Sequence, residues 1–319
     1  MKTHSMNRSL VRAAVTFLTA LAISPASLAQ EADSEVSEQA RTTTGRALVY
    51  EQMDRASLES LTTPARLRAV AKGGFAPTEI WRALEHGEKV DCLSCIPDVS
   101  KLLYNDNATT REISAWWLRR RVLGVFGPGQ VYQRTVETLN DRNQTPKRRA
   151  YAADALGEFL SGSGSRHLAL AVIDDPSPLV RLSAVKALQR MNSAGPNGEL
   201  TVGMSDSDEK VRIAAIHAST RVHGFNDIAA LSARLDDSSS TVRTRAIEAL
   251  GTLKARDAVV GIVAKLSLAN EATPSVRAAA AAALGQIGDG SVRPAVQDAR
   301  ENDPDRFVRD AAAVALRQL

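Results

Sequence analysis

Residues 236–251 read DDSSSTVRTRAIEALG, and this stretch decides the fold. Within it Arg243 is followed by Ala246 three residues later and Leu250 seven later, so both fall on one face of a helix. Working outward, the same frame recurs at Arg149, Arg181, Arg277 and Arg309, and in degenerate form at Arg212 and Arg111. The intervals between the seven arginines are 38, 32, 31, 31, 34 and 32 residues. A period near thirty-two is the signature of a helical solenoid, in which each unit buries its apolar face against the next.

The position six after each arginine is Ala in six of the seven units, which lets neighbouring helices approach closely. Six residues before the arginine stands Asn105, Asp175, Asp206, Asp237, Glu271 or Asp303. That residue falls in a turn, where a short polar side chain is expected to cap the helix that follows. Each unit therefore reads as helix, turn, helix.

The turn acid, the Val-Arg pair, the Ala face and the Leu-Gly ending resemble HEAT repeats, in particular the short class named after phycobilin lyases. The resemblance covers residues 97–319. It implies an all-α, right-handed α-solenoid of about seven hairpins, in which Arg111, Arg149, Arg181, Arg212, Arg243, Arg277 and Arg309 form a structural ladder with the turn acids between neighbouring units. Two enzyme groups share this repeat class. Deoxyhypusine hydroxylases bind iron through His-Glu pairs, but none of His4, His86, His167, His217 and His223 is followed by Glu. Phycobilin lyases act on cytoplasmic antenna proteins, which does not suit an exported chain. The resemblance thus implies a scaffold rather than an enzyme. No catalytic residue, cofactor or metal site is expected, because the sequence has no nucleophile with a paired base, no distinctive carboxylate pair and no phosphate loop.

The N-terminus carries an address. Lys2, Arg8 and Arg12 precede a short apolar run, and Ser27-Leu28-Ala29 closes it with small residues. This reads as a signal peptide over residues 1–29, with a periplasmic or secreted destination. Residues 30–45 read as a flexible leader, 46–96 as an N-terminal helical cap and 97–319 as the repeat array. The three signal-peptide bases account for most of the formal +4 charge, leaving the remainder nearly neutral. A nucleic-acid partner is therefore not expected, nor is a membrane span. The expected partner is another protein of the envelope.

The first unit breaks its own rule. Trp117 replaces the Ala of the other units, beside Trp116 and the run Arg119, Arg120, Arg121. Two readings stand: a cap closing the first face of the solenoid, or an aromatic and basic recognition patch. Positions two, five and nine after each arginine form a stripe on the second helices, which in this family line a concave face. The candidate partner-binding residues are Trp116, Arg119, Arg120, Tyr151, Lys186, Arg190, His217 and Arg221.

Cys92 and Cys95 form a CxxC just ahead of the array. Haem attachment needs His next, and Ile96 follows. Zinc would need two more ligands. In an oxidising compartment a short disulfide is the expected state, with a redox or enzyme-accessory role as the alternative to the scaffold.

Overall fold

The computed structural model describes residues 54, 56–57, 63–90, 92–124, 127–192 and 197–319. The expected signal peptide and leader lie outside the described residues. The chain divides into residues 1–58 and 59–319. In the first unit the Ser57 N–H donates to Asp54 at 2.7 Å. Among the described residues of the second unit, the elements are helical apart from a two-residue antiparallel ladder pairing Leu123–Gly124 with Gly127–Pro128.

Two helices, α1 (Pro64–Ala71) and α2 (Pro77–His86), precede the repeats. Seven hairpins follow among the described residues. Their first helices are α3 (Ile96–Lys101), α5 (Gln130–Asn140), α7 (Ser165–Asp174), α9 (Asn197–Met204), α11 (Ile228–Ser232), α13 (Val259–Leu266) and α15 (Arg293–Asn302). The second helices are α4 (Ala108–Val122), α6 (Pro146–Phe159), α8 (Pro178–Met191), α10 (Glu209–Ser219), α12 (Ser240–Thr252), α14 (Pro274–Ile287) and α16 (Arg306–Ala315). The molecule is an α-solenoid, and each of the seven repeat arginines sits on a second helix.

The second helices start where their sequences require. Proline opens α6, α8 and α14, where its missing N–H costs nothing. Thr145, Asp208, Ser239 and Asp305 cap α6, α10, α12 and α16 with side-chain oxygens. The Ala and Leu of the repeated frame are buried: Ala184, Ala246, Ala280, Leu156, Leu250 and Leu284 are all fully inaccessible. Burying each leucine contributes about 1.5–3 kcal/mol.

Small residues set how closely the layers approach. Gly157, Gly251 and Gly285, each eight residues after its arginine, lie against Ala187, Ala283 and Ala315 of the following unit. A β-carbon on Gly251 would stand 2.9 Å from the Ala283 Cα, so the two helices meet backbone to backbone. Gly251→Val should therefore cost about 1–3 kcal/mol of stability through overpacking, read as a lower urea midpoint.

The turn acids do something other than cap. The cap stands two residues later, and the acid links units. Its carboxylate accepts the N–H of that later residue, as in Ser177 to Asp175 and Ser239 to Asp237, both 2.9 Å. It also receives the arginine of the preceding unit. Arg149 donates Nε and Nη2 to Asp175, both at 3.0 Å. Arg181 grips Asp206 at 2.6 and 2.8 Å, Arg243 grips Glu271 at 2.7 and 2.8 Å, and Arg277 grips Asp303 at 2.8 and 3.0 Å. Arg212 Nη2 reaches Asp237 at 3.0 Å. The remaining nitrogen turns back to its own turn, as Arg181 Nη1 does to the Asp175 carbonyl at 2.9 Å. One guanidinium thus stitches its own turn to the next, using the fork that only arginine offers.

The first unit is built differently. Arg111 Nη1 donates to the carbonyls of Asn105 and Asp106, but its nearest carboxylate in the next unit is Asp154, at 3.8 Å. Trp117 is fully buried, and its indole N–H donates to the Gly87 carbonyl at 3.1 Å. Arg121 lies over the Trp117 ring at 3.7 Å and donates to the Glu88 and Val90 carbonyls. Trp117 and Arg121 therefore fasten α4 to the end of α2, while Trp116 beside them is half-buried. The Cys92 and Cys95 sulfurs stand at bonding distance, 2.06 Å, in the loop leading into α3.

Candidate protein-binding groove on the second helices

The second helices of the first three units enclose a small groove of about 220 Å³. Arg111, Glu112 and Ala115 of α4 form one wall, Tyr151, Asp154 and Glu158 of α6 the floor, and Lys186 and Arg190 of α8 the other wall. The floor residues recur at one-turn spacing along α6, which places them on one face. The volume lies below the roughly 300–1,000 Å³ of small-molecule pockets, and suits a protruding side chain.

The charges in the groove interlock. The Arg111 guanidinium lies over the Tyr151 ring at 3.7 Å. Arg190 Nε meets Glu158 at 2.9 Å. Burial pushes the Asp154 carboxyl above its usual range, against the opposing pull of the Ser183 hydrogen bond and of Arg111, Arg190 and Lys186. Burial likewise raises Glu158, with Arg190 opposing and Glu112 reinforcing. Lys186 stands exposed, its charge reaching Asp154 only through space. The floor is thus acidic and half-desolvated, the rim basic and wet.

The structure divides the residues singled out from the sequence. Tyr151, Lys186 and Arg190 line the groove together. Trp116 and Arg119 are half-buried on α4 outside its lining, although the Arg119 charge reaches Glu158. Arg120 turns toward the cap, with Nη1 on Glu88 at 2.5 Å. His217 and Arg221 are exposed further along the array. His217 faces Gln189 at 3.2 Å and is held below the ordinary imidazole range, first by burial and then by Arg221 and Arg245. Two positions of the expected stripe, Ile113 and Ser183, are buried instead. Glu112 and Arg111 were not picked out as groove residues. The signal for Arg111 was present, since the next unit carries Asn143 where the later units carry an acid.

Seven hairpins, a shared Ala/Leu face and a repeated arginine fork define one repeat type. Residues 165–251 and 228–317 match the model for HEAT repeats. The chain carries HEAT repeats over residues 165–317. Among solved structures, Escherichia coli YibA superposes with a TM-score of 0.54 at 15% identity, covering 84% of this chain and 98% of its own. Human deoxyhypusine hydroxylase shares 24% identity over 82% of this chain and 98% of its own, with a TM-score of 0.35. The CpcE–CpcF complex of phycocyanin lyase from Nostoc shares 17% over 70% of this chain and 94% of that chain, with a TM-score of 0.37. None of the curated proteins compared matches the chain. YibA speaks for the fold alone. Enzymes occur among these HEAT-repeat neighbours. Among the described residues, no group of three or more His, Cys, Asp or Glu is placed to hold a metal ion. No helix of the described residues is long and apolar enough to cross a membrane.

Proposed function

We propose that this chain is a non-catalytic protein-interaction scaffold of the bacterial cell envelope, binding a partner through the face of its second helices. The groove of α4, α6 and α8 carries the proposal: an acidic floor with Tyr151 at one end and Lys186 and Arg190 at the other. Such a mixed-charge surface selects a partner segment by complementary charge and gives it a rigid seat. The export-type N-terminus and the Cys92–Cys95 pair support an envelope location.

Cross-linking in intact cells tests the reading. Wild type should capture a defined envelope protein. Lys186→Glu/Arg190→Glu, shown to be folded by circular dichroism, should lose it. Capture unchanged by the double reversal would overturn the groove as the binding face.

The redox alternative meets an obstacle in burial. Cys92 is 4% exposed and Cys95 is fully buried, whereas thiol exchange needs an accessible sulfur. Cys92→Ser/Cys95→Ser should cost about 2 kcal/mol at most, because so short a ring constrains little unfolded chain. Partner capture should survive in that variant. Its loss from a folded protein would return the pair to a functional role.

A further inference from the structure

The longest interval between repeat arginines, from Arg111 to Arg149, has a structural counterpart. The added residues form the connection containing the Leu123–Gly124 and Gly127–Pro128 ladder. On the first-helix side of the same junction a trough of about 720 Å³ opens between α3 and α5. One face of α5 lines it from Gln130 to Asp141, a run of about 16 Å at helical rise. That is longer than a compact ligand and matches a peptide segment.

The trough has apolar seats. Leu93, Ile96, Pro97 and Val131 line it. Leu93 is 69% exposed although the two cysteines flanking it are buried, so a short closed ring holds a leucine out into the opening. It also has an excess of positive charge, with Lys101, Arg121, Arg134 and Arg148 against Glu137 and Asp141. Asp141 is already engaged by Gln144 Nε2 and the Asn143 N–H, both at 2.9 Å. Lys101 pairs with Asp98 at 2.8 Å, and Arg121 is held by backbone carbonyls. Arg134 is exposed, and Arg148 lies over the Tyr104 ring at 4.0 Å. Neither forms an ion pair among the described residues.

We propose that this trough is a second docking site, independent of the groove on the second helices, for an acidic peptide segment of a partner protein anchored by apolar side chains. Its carboxylates meet Arg134 and Arg148, and its apolar residues pack on Leu93, Ile96 and Val131. Aromatic support leaves the Arg148 guanidinium flat and preorganised for a carboxylate.

Fluorescence anisotropy on the full chain tests this with a fluorescein-labelled, end-blocked peptide of sequence ELEELLEELLEE. The control peptides replace every Glu by Gln or by Lys. Binding of the Glu peptide is expected to exceed that of the Gln peptide by about tenfold, and the Lys peptide should not bind. Arg134→Glu/Arg148→Glu and, separately, Leu93→Asp should each weaken the Glu peptide by about tenfold. All these side chains are exposed, and circular dichroism verifies that the variants fold. Lys186→Glu/Arg190→Glu should leave this binding unchanged, which separates the trough from the groove. The proposal falls if no peptide binds, if the Glu and Gln peptides bind alike, or if the trough variants bind as wild type does.

Discussion

Replacing Arg277 by Ala should cost about 3–5 kcal/mol, among the largest losses available to a single substitution in this chain. The side chain is 1% exposed and Asp303 is buried beside it, so truncation leaves a carboxylate without its fork in a desolvated turn. The Glu271 and Ala272 carbonyls lose a donor at the same time. Arg277→Met/Asp303→Asn should recover part of the loss. Asparagine keeps the acceptor for the Asp305 N–H and carries no charge to strand.

The pH dependence carries the same signature. In the wild type, burial pushes Asp303 upward, but the Arg277 bond, the Asp305 N–H and nearby cations bring it below the usual carboxylate range. A depressed folded value means stability that is present above the unfolded pKa of about 3.9 and lost as pH falls through the folded one. Asp206 and Glu271 are lowered in the same way by Arg181 and Arg243. Without Arg277, only the Asp305 N–H and the Arg309 charge oppose the burial that raises Asp303, and protonation relieves part of the penalty. The gap between wild type and Arg277→Ala should therefore narrow from pH 7 to pH 3 in urea titrations. A gap independent of pH would mean that lost packing, not the stranded charge, sets the cost.

Trp117→Ala should be of similar size, about 3–5 kcal/mol, because a fully buried indole is replaced by a cavity at the junction of α2 and α4. The Gly87 carbonyl is left with the Val90 N–H alone and Arg121 loses the ring beneath it. Trp117→Phe keeps a platform for Arg121 and should cost less. Trp116→Ala, on the half-buried neighbour, should move the urea midpoint far less. Equal effects at the two tryptophans would contradict the assignment of Trp117 as the bolt of the cap.

Periodicity made the array legible. The Arg, Ala and Leu spacing alone places seven second helices, since each position repeats the same burial. The ladder was legible in its members and in joining neighbouring units, but not in its direction. The resemblance implies a ladder between neighbouring units, and packing supplies its direction, from Arg149 forward to Asp175 of the following unit. The site was partly legible. Tyr151, Lys186 and Arg190 were found because an exposed stripe keeps helical phase. Trp116, Arg119 and Arg120 lie outside the groove because the cap against α4 changes the surroundings of its last turns, which no repeat pattern encodes. The trough left one trace in the sequence, the long interval after Arg111.

The joint between the first and second hairpins lacks the carboxylate rung that secures those beyond it, having instead a stacked Arg111–Tyr151 pair and a 3.8 Å approach to Asp154. The trough and the groove share Leu103 as a common wall, one opening among the first helices and the other among the second. A partner segment can therefore occupy each opening without displacing the other.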